Sequence, residues 1–147
     1  MIYGFTKFVT WPADAFAEAN SPLTICVAGN DPFGTWFDAF LRDKQYFGRP
    51  IRLRRLAQGT ADGCHVVFIS RSEQKRLPEL LASMNRAGLF TVSDIDRFTS
   101  RGGMIGFFTR DDKVVFEINR DVAQKKDLTI SSKLLRLATD VGIGEFR

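Results

Sequence analysis

Apolar residues fall in short blocks whose period switches between two and about 3.6 along the chain, as expected of strands alternating with helices. Leu23–Ala28, ending at Gly29, and Cys64–Ile69 are nearly continuous apolar runs and read as strands buried on both faces. Ile51 and Leu53 alternate with Arg52 and Arg54, which predicts an outer, half-exposed strand over Ile51–Leu56, followed by a Gly-containing loop. Leu89–Ser93 reads as a further short buried strand. Helical spacing joins Ile2, Phe5, Phe8 and Val9, ahead of a break at Trp11-Pro12. It joins Phe33, Trp36, Phe37, Phe40 and Leu41 as well, with Asp31 as the expected N-cap and Pro32 as the first helical residue. A third helix is expected from Ser72 to about Ala87, closed by Gly88. Asp94 is expected to cap a short turn that presents Ile95 and Phe98. Arg120–Lys126 reads as a short helix. Ser131 or Ser132 opens a last one with Leu134, Leu135, Leu137, Ala138 and Val141 as its apolar stripe.

The clearest single feature is a β-hairpin. Met104–Thr109 and Val114–Ile118 are rich in Phe and β-branched residues and flank the polar break Arg110-Asp-Asp-Lys113. Alternation puts Val114, Phe116 and Ile118 on one face, and Val115, Glu117 and Asn119 on the other. A carboxylate therefore stands in an otherwise apolar strand. Strands separated by helices, then a hairpin, give an α/β fold. The expected form is a single domain over residues 1–147, with a mostly parallel Rossmann-like sheet flanked by helices and an antiparallel C-terminal hairpin at one edge.

Composition changes this picture little. The 147 residues suffice for one buried core, and most of the 14 Phe must lie in it because they carry no polar handle. A net charge of +4 spread along the chain gives little support to a nucleic-acid partner. No apolar run approaches the roughly 20 residues that cross a bilayer. The amphipathic helix that begins at Met1 without a cap suggests an upstream segment.

Candidate chemistry is sparse. Cys26 and Cys64 fall on strands expected to be neighbours, compatible either with a disulfide or with two buried thiols, and compartment decides between them. Gly29–Gly34 lies between a strand and a helix but matches neither phosphate-binding glycine motif, and Asp31 would repel phosphate. The single His65 follows Cys64 directly, so the two side chains point to opposite faces and form no dyad. Asp94, Asp96, Asp111 and Asp112 read as cap and turn residues, and Arg49, Arg52, Arg54 and Arg55 as charges protecting an edge strand. No catalytic residue, metal ligand or cofactor is expected, and the chain reads as a non-enzyme. The face with Val115, Glu117 and Asn119 combines apolar and charged groups in a way that suits a protein contact or an ordinary solvated surface.

Several stretches resemble one family, the YfiR-like proteins: Tyr3–Pro12, Ile25–Gly29, Cys64–Ile69, Thr91–Asp94, Gly102–Gly106, Phe116–Asn119 and Ile130–Ala138. The resemblance covers nearly the whole chain. It implies a periplasmic protein whose signal peptide would have preceded Met1. Such a protein binds the periplasmic sensor region of a membrane diguanylate cyclase and restrains cyclic-di-GMP synthesis, and an outer-membrane lipoprotein or redox state relieves it. By the same resemblance Cys26 and Cys64 match a family disulfide. A second cysteine pair found near the hairpin in founding members has no counterpart in Gly102–Phe108, so a redox switch built on it does not carry over. Partner contact is expected at Glu117, Asn119, Val115 and Val122, and a homodimer is left open. The alternative is a periplasmic small-molecule-binding sensory module that acts on a histidine kinase or transporter, with its pocket around Gly29–Gly34 and Ser70.

Overall fold

The computed structural model describes residues 2–56, 61–139 and 143–146; the side chains of Arg110, Lys113, Val114 and everything from residue 137 onward lie outside the description. In chain order the elements are α1 (Ile2–Thr6), β1 (Val9–Thr10), β2 (Leu23–Ala28), α2 (Thr35–Leu41), β3 (Gln45–Tyr46), β4 (Arg49–Leu56) and β5 (Val66–Ile69). They continue with α3 (Leu77–Ser83), β6 (Phe90–Ser93), β7 (Ile105–Arg110), β8 (Lys113–Ile118), α4 (Arg120–Lys125), β9 (Thr129–Ile130), α5 (Ser132–Thr139) and β10 (Ile143–Phe146).

Eight strands form one sheet in the order β10-β8-β7-β6-β5-β2-β4-β3. β4, β2, β5, β6 and β7 run parallel, whereas β3, β8 and β10 are antiparallel additions. The parallel strands thus stand second, first, third, fourth and fifth, the flavodoxin-type doubly wound order and not the Rossmann one. A second correction concerns the hairpin. β10 pairs along the outer side of β8, with Ile143 opposite Glu117, so the hairpin is interior to the sheet instead of at its edge.

Period-two alternation explains why the central strands are apolar throughout. Leu23, Ile25, Val27, Val66, Phe68, Phe90, Val92, Ile105 and Phe116 face a core closed by Phe5 of α1, Phe37 and Leu41 of α2, and Leu134 of α5. Cys26, Ala28, Val67 and Ile69 face the opposite core, closed by Leu77 and Leu80 of α3 together with Ile95 and Phe98. β4 is the half-exposed outer strand that alternation predicts, its first residues alone covered by β3.

Local chemistry shifts several boundaries. α1 stops at Thr6, whose hydroxyl turns back to donate to Tyr3 O (2.6 Å), and Val9 enters a two-residue strand. α2 starts at Thr35, because Asp31 accepts from Phe33 N–H (2.7 Å) in an Asx turn and caps nothing. The expected helix from Ser72 is a 3-10 turn over Arg71–Arg76 followed by α3. Pro78 has no N–H to continue a ladder and sits in the first α-turn. Ser131 Oγ accepts from Lys133 N–H (3.2 Å) at the start of α5, as expected of a cap. Of its apolar stripe, Leu134 is buried, and Val141 and the side chains of Leu137 and Ala138 lie outside the described residues, as do residues 57–60 of the Gly-containing loop.

Cys26 and Cys64 form a disulfide, with Cα atoms 6.0 Å apart, that staples β2 to the segment entering β5. His65, next to it, is held neutral by its partners. Thr24 N–H donates to Nδ1 (3.0 Å), so that nitrogen carries no proton, and Nε2–H donates to Ala15 O (2.9 Å). The ring also stacks on Phe16 at 4.4 Å. Burial holds its pKa below the ordinary 6.5, against the pull of Ala15 O, with Arg86 and Arg49 adding repulsion. The unfolded chain therefore takes up this proton first as the pH falls. Stability is expected to decline below about pH 6.5 by up to about 1.4 kcal/mol per pH unit until the native-state pKa is reached. Urea denaturation of wild type and His65→Asn at several pH values checks this. The gap between them should narrow toward acid, and a constant gap would rule the titration out.

Candidate partner-binding cleft

Two glycines set the geometry of the hairpin's surroundings. The Phe98 ring lies against Gly103 so closely that no Cβ fits there, and a Cβ at Gly106 would stand 3.4 Å from Phe98 Cβ and 3.8 Å from Thr99 Cγ2. The connection Asp94–Arg101 between β6 and β7 is thereby packed down onto β7. Gly106 is paired with Glu117 of β8, which brings Thr99 over the carboxylate. Thr99 Oγ1 donates to Glu117 Oε2 (2.8 Å), and Asn119 Nδ2–H donates to Thr99 O (2.9 Å). Asn119 also caps α4, its Oδ1 accepting from Val122 N–H (3.2 Å). Glu117 and Asn119 thus grip one residue of the connection from two sides.

Between connection and hairpin opens a cleft of about 540 Å³, whose charged lining is Arg71, Asp94, Asp96, Arg97 and Glu117. A shallower hollow of about 400 Å³ continues past Thr99 and Ser100 to Asn119, Arg120 and Asp121. Two features mark this region as unrelaxed. Arg97 is a non-glycine residue at φ +60°, in the left-handed region that costs an ordinary side chain about 1–2 kcal/mol. Asp94 Oδ1 is buried without a hydrogen-bond partner, while its Oδ2 meets Arg71 Nε at 3.3 Å. Asp94 does not cap the turn. Ser93 does, accepting from Ile95 N–H (2.9 Å) while donating to Ile69 O (2.6 Å).

The sequence-selected residues separate accordingly. Glu117 lines the large cleft and Asn119 the adjoining hollow. Val122 is half-buried against the core behind α4. Val115 is only 5% exposed, between Phe108 and Glu145 on the flanking strands, and offers no area to a partner. Thr99, Arg97 and Arg71 escaped sequence reasoning. Each is an ordinary surface residue type, and nothing in a spacing of 18 residues links Thr99 to Glu117. At the Gly29 end of the stretch where a pocket is expected, Ser72 Oγ accepts from Asn30 N–H (2.9 Å) and a Cβ on Gly29 would collide with Ser72 and Glu73, whereas Gly34 borders open space.

The basic cluster is also taken apart by its neighbours. Arg49 donates to Glu18 O and Ser21 O and stacks on Phe16, and Arg54 donates to Asp62 O. Arg55 bridges Asp31 (2.6 Å) and Asp38 (2.8 Å), holding the Asp38 carboxyl below its usual range. Three of the four guanidinium groups are thus engaged within the fold, which leaves no basic block for a phosphate backbone.

The family model described as YfiR/HmsC-like matches residues 1–139. The chain belongs to the YfiR/HmsC-like family. That match reaches from α1 to the end of α5 and so takes in both cores, the disulfide and the cleft. No curated protein matches the chain. The YfiR/HmsC-like family suggests a periplasmic regulator of diguanylate cyclase signalling. The disulfide is consistent with an oxidising compartment. Among the described residues no helix is long and apolar enough to cross a membrane.

Proposed function

We propose that this protein is a periplasmic negative regulator that binds the periplasmic sensor region of a membrane diguanylate cyclase and represses cyclic-di-GMP signalling. The family match over residues 1–139 carries the reading. The contact surface is the rim of the cleft, with Glu117 and Asn119 at its centre and Val122 on the flanking helix. Repression is a population shift: the regulator holds the cyclase in its inactive arrangement because it binds that arrangement more tightly. An outer-membrane lipoprotein that competes for the same rim would release it.

Glu117 is the residue to test. Glu117→Gln keeps an acceptor for Thr99 and removes the charge, whereas Glu117→Lys reverses it. The Lys variant is expected to weaken capture of the cyclase's periplasmic region by about 30-fold or more, and the Gln variant less. Circular dichroism of both should match wild type. Undiminished pull-down by Glu117→Lys would remove this residue from the interface.

A second reading is favoured by one observation, the volume of the cleft, which falls in the range of small-molecule sites. In this reading the protein is a sensory module whose ligand sits beneath Thr99 and acts on a histidine kinase or transporter. A thermal-shift screen separates the two, since a ligand held there raises the melting temperature by mass action.

A further inference from the structure

Far along the chain from the cleft residues, the sheet's opposite edge presents aromatic rings to solvent. Trp36 is 61% exposed and Phe47 79%, and they are the two large apolar side chains left exposed among the described residues. Trp36 stacks on Phe40 of the same helix at 5.1 Å, and Phe40 meets Tyr3 of α1 edge-on at 6.1 Å. The Tyr3 hydroxyl donates to Gln45 O (3.0 Å), which ties this row to the β3–β4 hairpin that carries Phe47. Trp36, Phe40 and Tyr3 therefore form one row across α2 and α1, tied through Gln45 to the hairpin whose turn carries Phe47. The Phe47 ring itself packs edge-on against Tyr46 at 4.8 Å.

Phe47 occupies a position that local backbone physics does not favour. Tyr46 and Arg49 pair across a two-residue loop in which Phe47 (φ +46°) and Gly48 (φ +83°) both lie in the left-handed region. Such turns select Asn, Asp or Gly at the first of these positions. A phenylalanine there costs turn stability and contributes little to the core, so its ring points to a use outside the fold.

The charges around the rings identify what it meets. Lys7 Nζ stands 4.9 Å from the centre of the Tyr3 ring, and Lys44 Nζ 5.0 Å from that of Phe40. Asp38 is already engaged by Arg55, and Lys44 also meets its exposed neighbour Asp43 at 3.7 Å, a surface contact weak enough for a phosphate to replace. Lysine is depleted from the cores of protein–protein interfaces. Lysines beside Trp, Tyr and Phe are instead the pattern of surfaces that rest at the headgroup level of a bilayer, rings in the acyl boundary and amines on phosphates. We propose that the surface of Trp36, Phe40, Tyr3 and Phe47 docks on an anionic lipid membrane, with Lys7 and Lys44 on its phosphates. The inference stands independently of the regulatory reading.

The two tryptophans make the test direct. Trp11 is buried, its Nε1–H donating to Gly88 O (2.8 Å), so Trp36 dominates any change in emission at the surface. With vesicles of mixed phosphatidylglycerol and phosphatidylcholine, wild type should co-sediment and its emission shift to shorter wavelength. Trp36→Phe should still co-sediment without the shift. Phe47→Asn places a favoured residue in the turn, so it cannot act by unfolding the hairpin, and it should lower the partition coefficient about tenfold or more. Lys7→Glu with Lys44→Glu should remove the preference for phosphatidylglycerol over phosphatidylcholine alone. Failure of wild type to bind these vesicles would overturn the proposal, as would equal binding by Phe47→Asn. A wild-type dimer that Phe47→Asn dissociates would assign the surface to a second copy and overturn it too.

Discussion

Replacing Cys26 and Cys64 together with alanine should lower the unfolding free energy by about 4 kcal/mol on the chain-entropy model. The two are 38 residues apart in sequence, so the bond withholds a large loop from the unfolded ensemble. Both are also buried, at 0% and 2% exposure, and their loss removes contacts with Val67, Leu89 and the rest of that core. For a domain of ordinary stability, about 5–15 kcal/mol, this is a large fraction of the total. Urea denaturation with and without reductant measures the same quantity on the wild-type chain. Its midpoint should fall by about 2 M on reduction, given a slope of about 2 kcal/mol/M. Coincident curves in the two conditions would show that the pair contributes nothing.

Gly103→Ala should be nearly as damaging, for a steric reason. The new methyl group would lie inside the Phe98 ring, which is 1% exposed and walled in by its own core. Either the ring leaves that core or β7 moves, at a cost of about 3 kcal/mol. Gly106→Ala is the matched control, because its methyl would meet Phe98 and Thr99 at ordinary contact distances. Thermal unfolding should rank Gly103→Ala well below Gly106→Ala, and equal melting temperatures would refute the packing argument. Phe98 anchors the segment that carries Thr99, so Gly103→Ala should also reduce partner capture even at temperatures where the variant is folded.

How legible this molecule is in its sequence depended on how many neighbours each signal needs. β2, β5 and β6 were plain because both faces of each strand are buried, and a run of Val, Ile and Phe reports that by itself. The hairpin turn was equally plain: Asp111 and Asp112 occupy the two left-handed positions of a two-residue loop, which their short polar side chains tolerate. β1, β3 and β9 are two residues each, too short for any period to register. β10 was missed for a related reason. Ile143-Gly-Glu-Phe146 has a glycine inside a four-residue strand, and missing it placed the hairpin at the edge. At the cleft, Glu117 stood out because a carboxylate is conspicuous between Phe116 and Ile118. Thr99 did not, since only the approach of the connection over Gly106 gives its hydroxyl a partner. Asp31 and Asp94 both looked like caps. Asp31 instead closes an Asx turn on Phe33 with one oxygen and pairs with Arg55 through the other, and Asp94 pairs with Arg71, partners that no local pattern reveals.

The small sheet of β1 and β9 pairs Val9 with Ile130 and Thr10 with Thr129. Ser131 N–H then donates to Phe8 O (2.7 Å). These contacts join the first tenth of the chain to its last fifth, which raises the contact order and slows folding. A nascent chain has its first helix long before the residues that will latch it. Cys26 and Cys64, by contrast, are both free to meet once less than half of the chain has emerged. Oxidation can therefore precede closure of the latch, leaving a cross-linked intermediate with α1 still undocked and its Ile2 and Phe5 bare, the stage at which a chaperone would find most to hold.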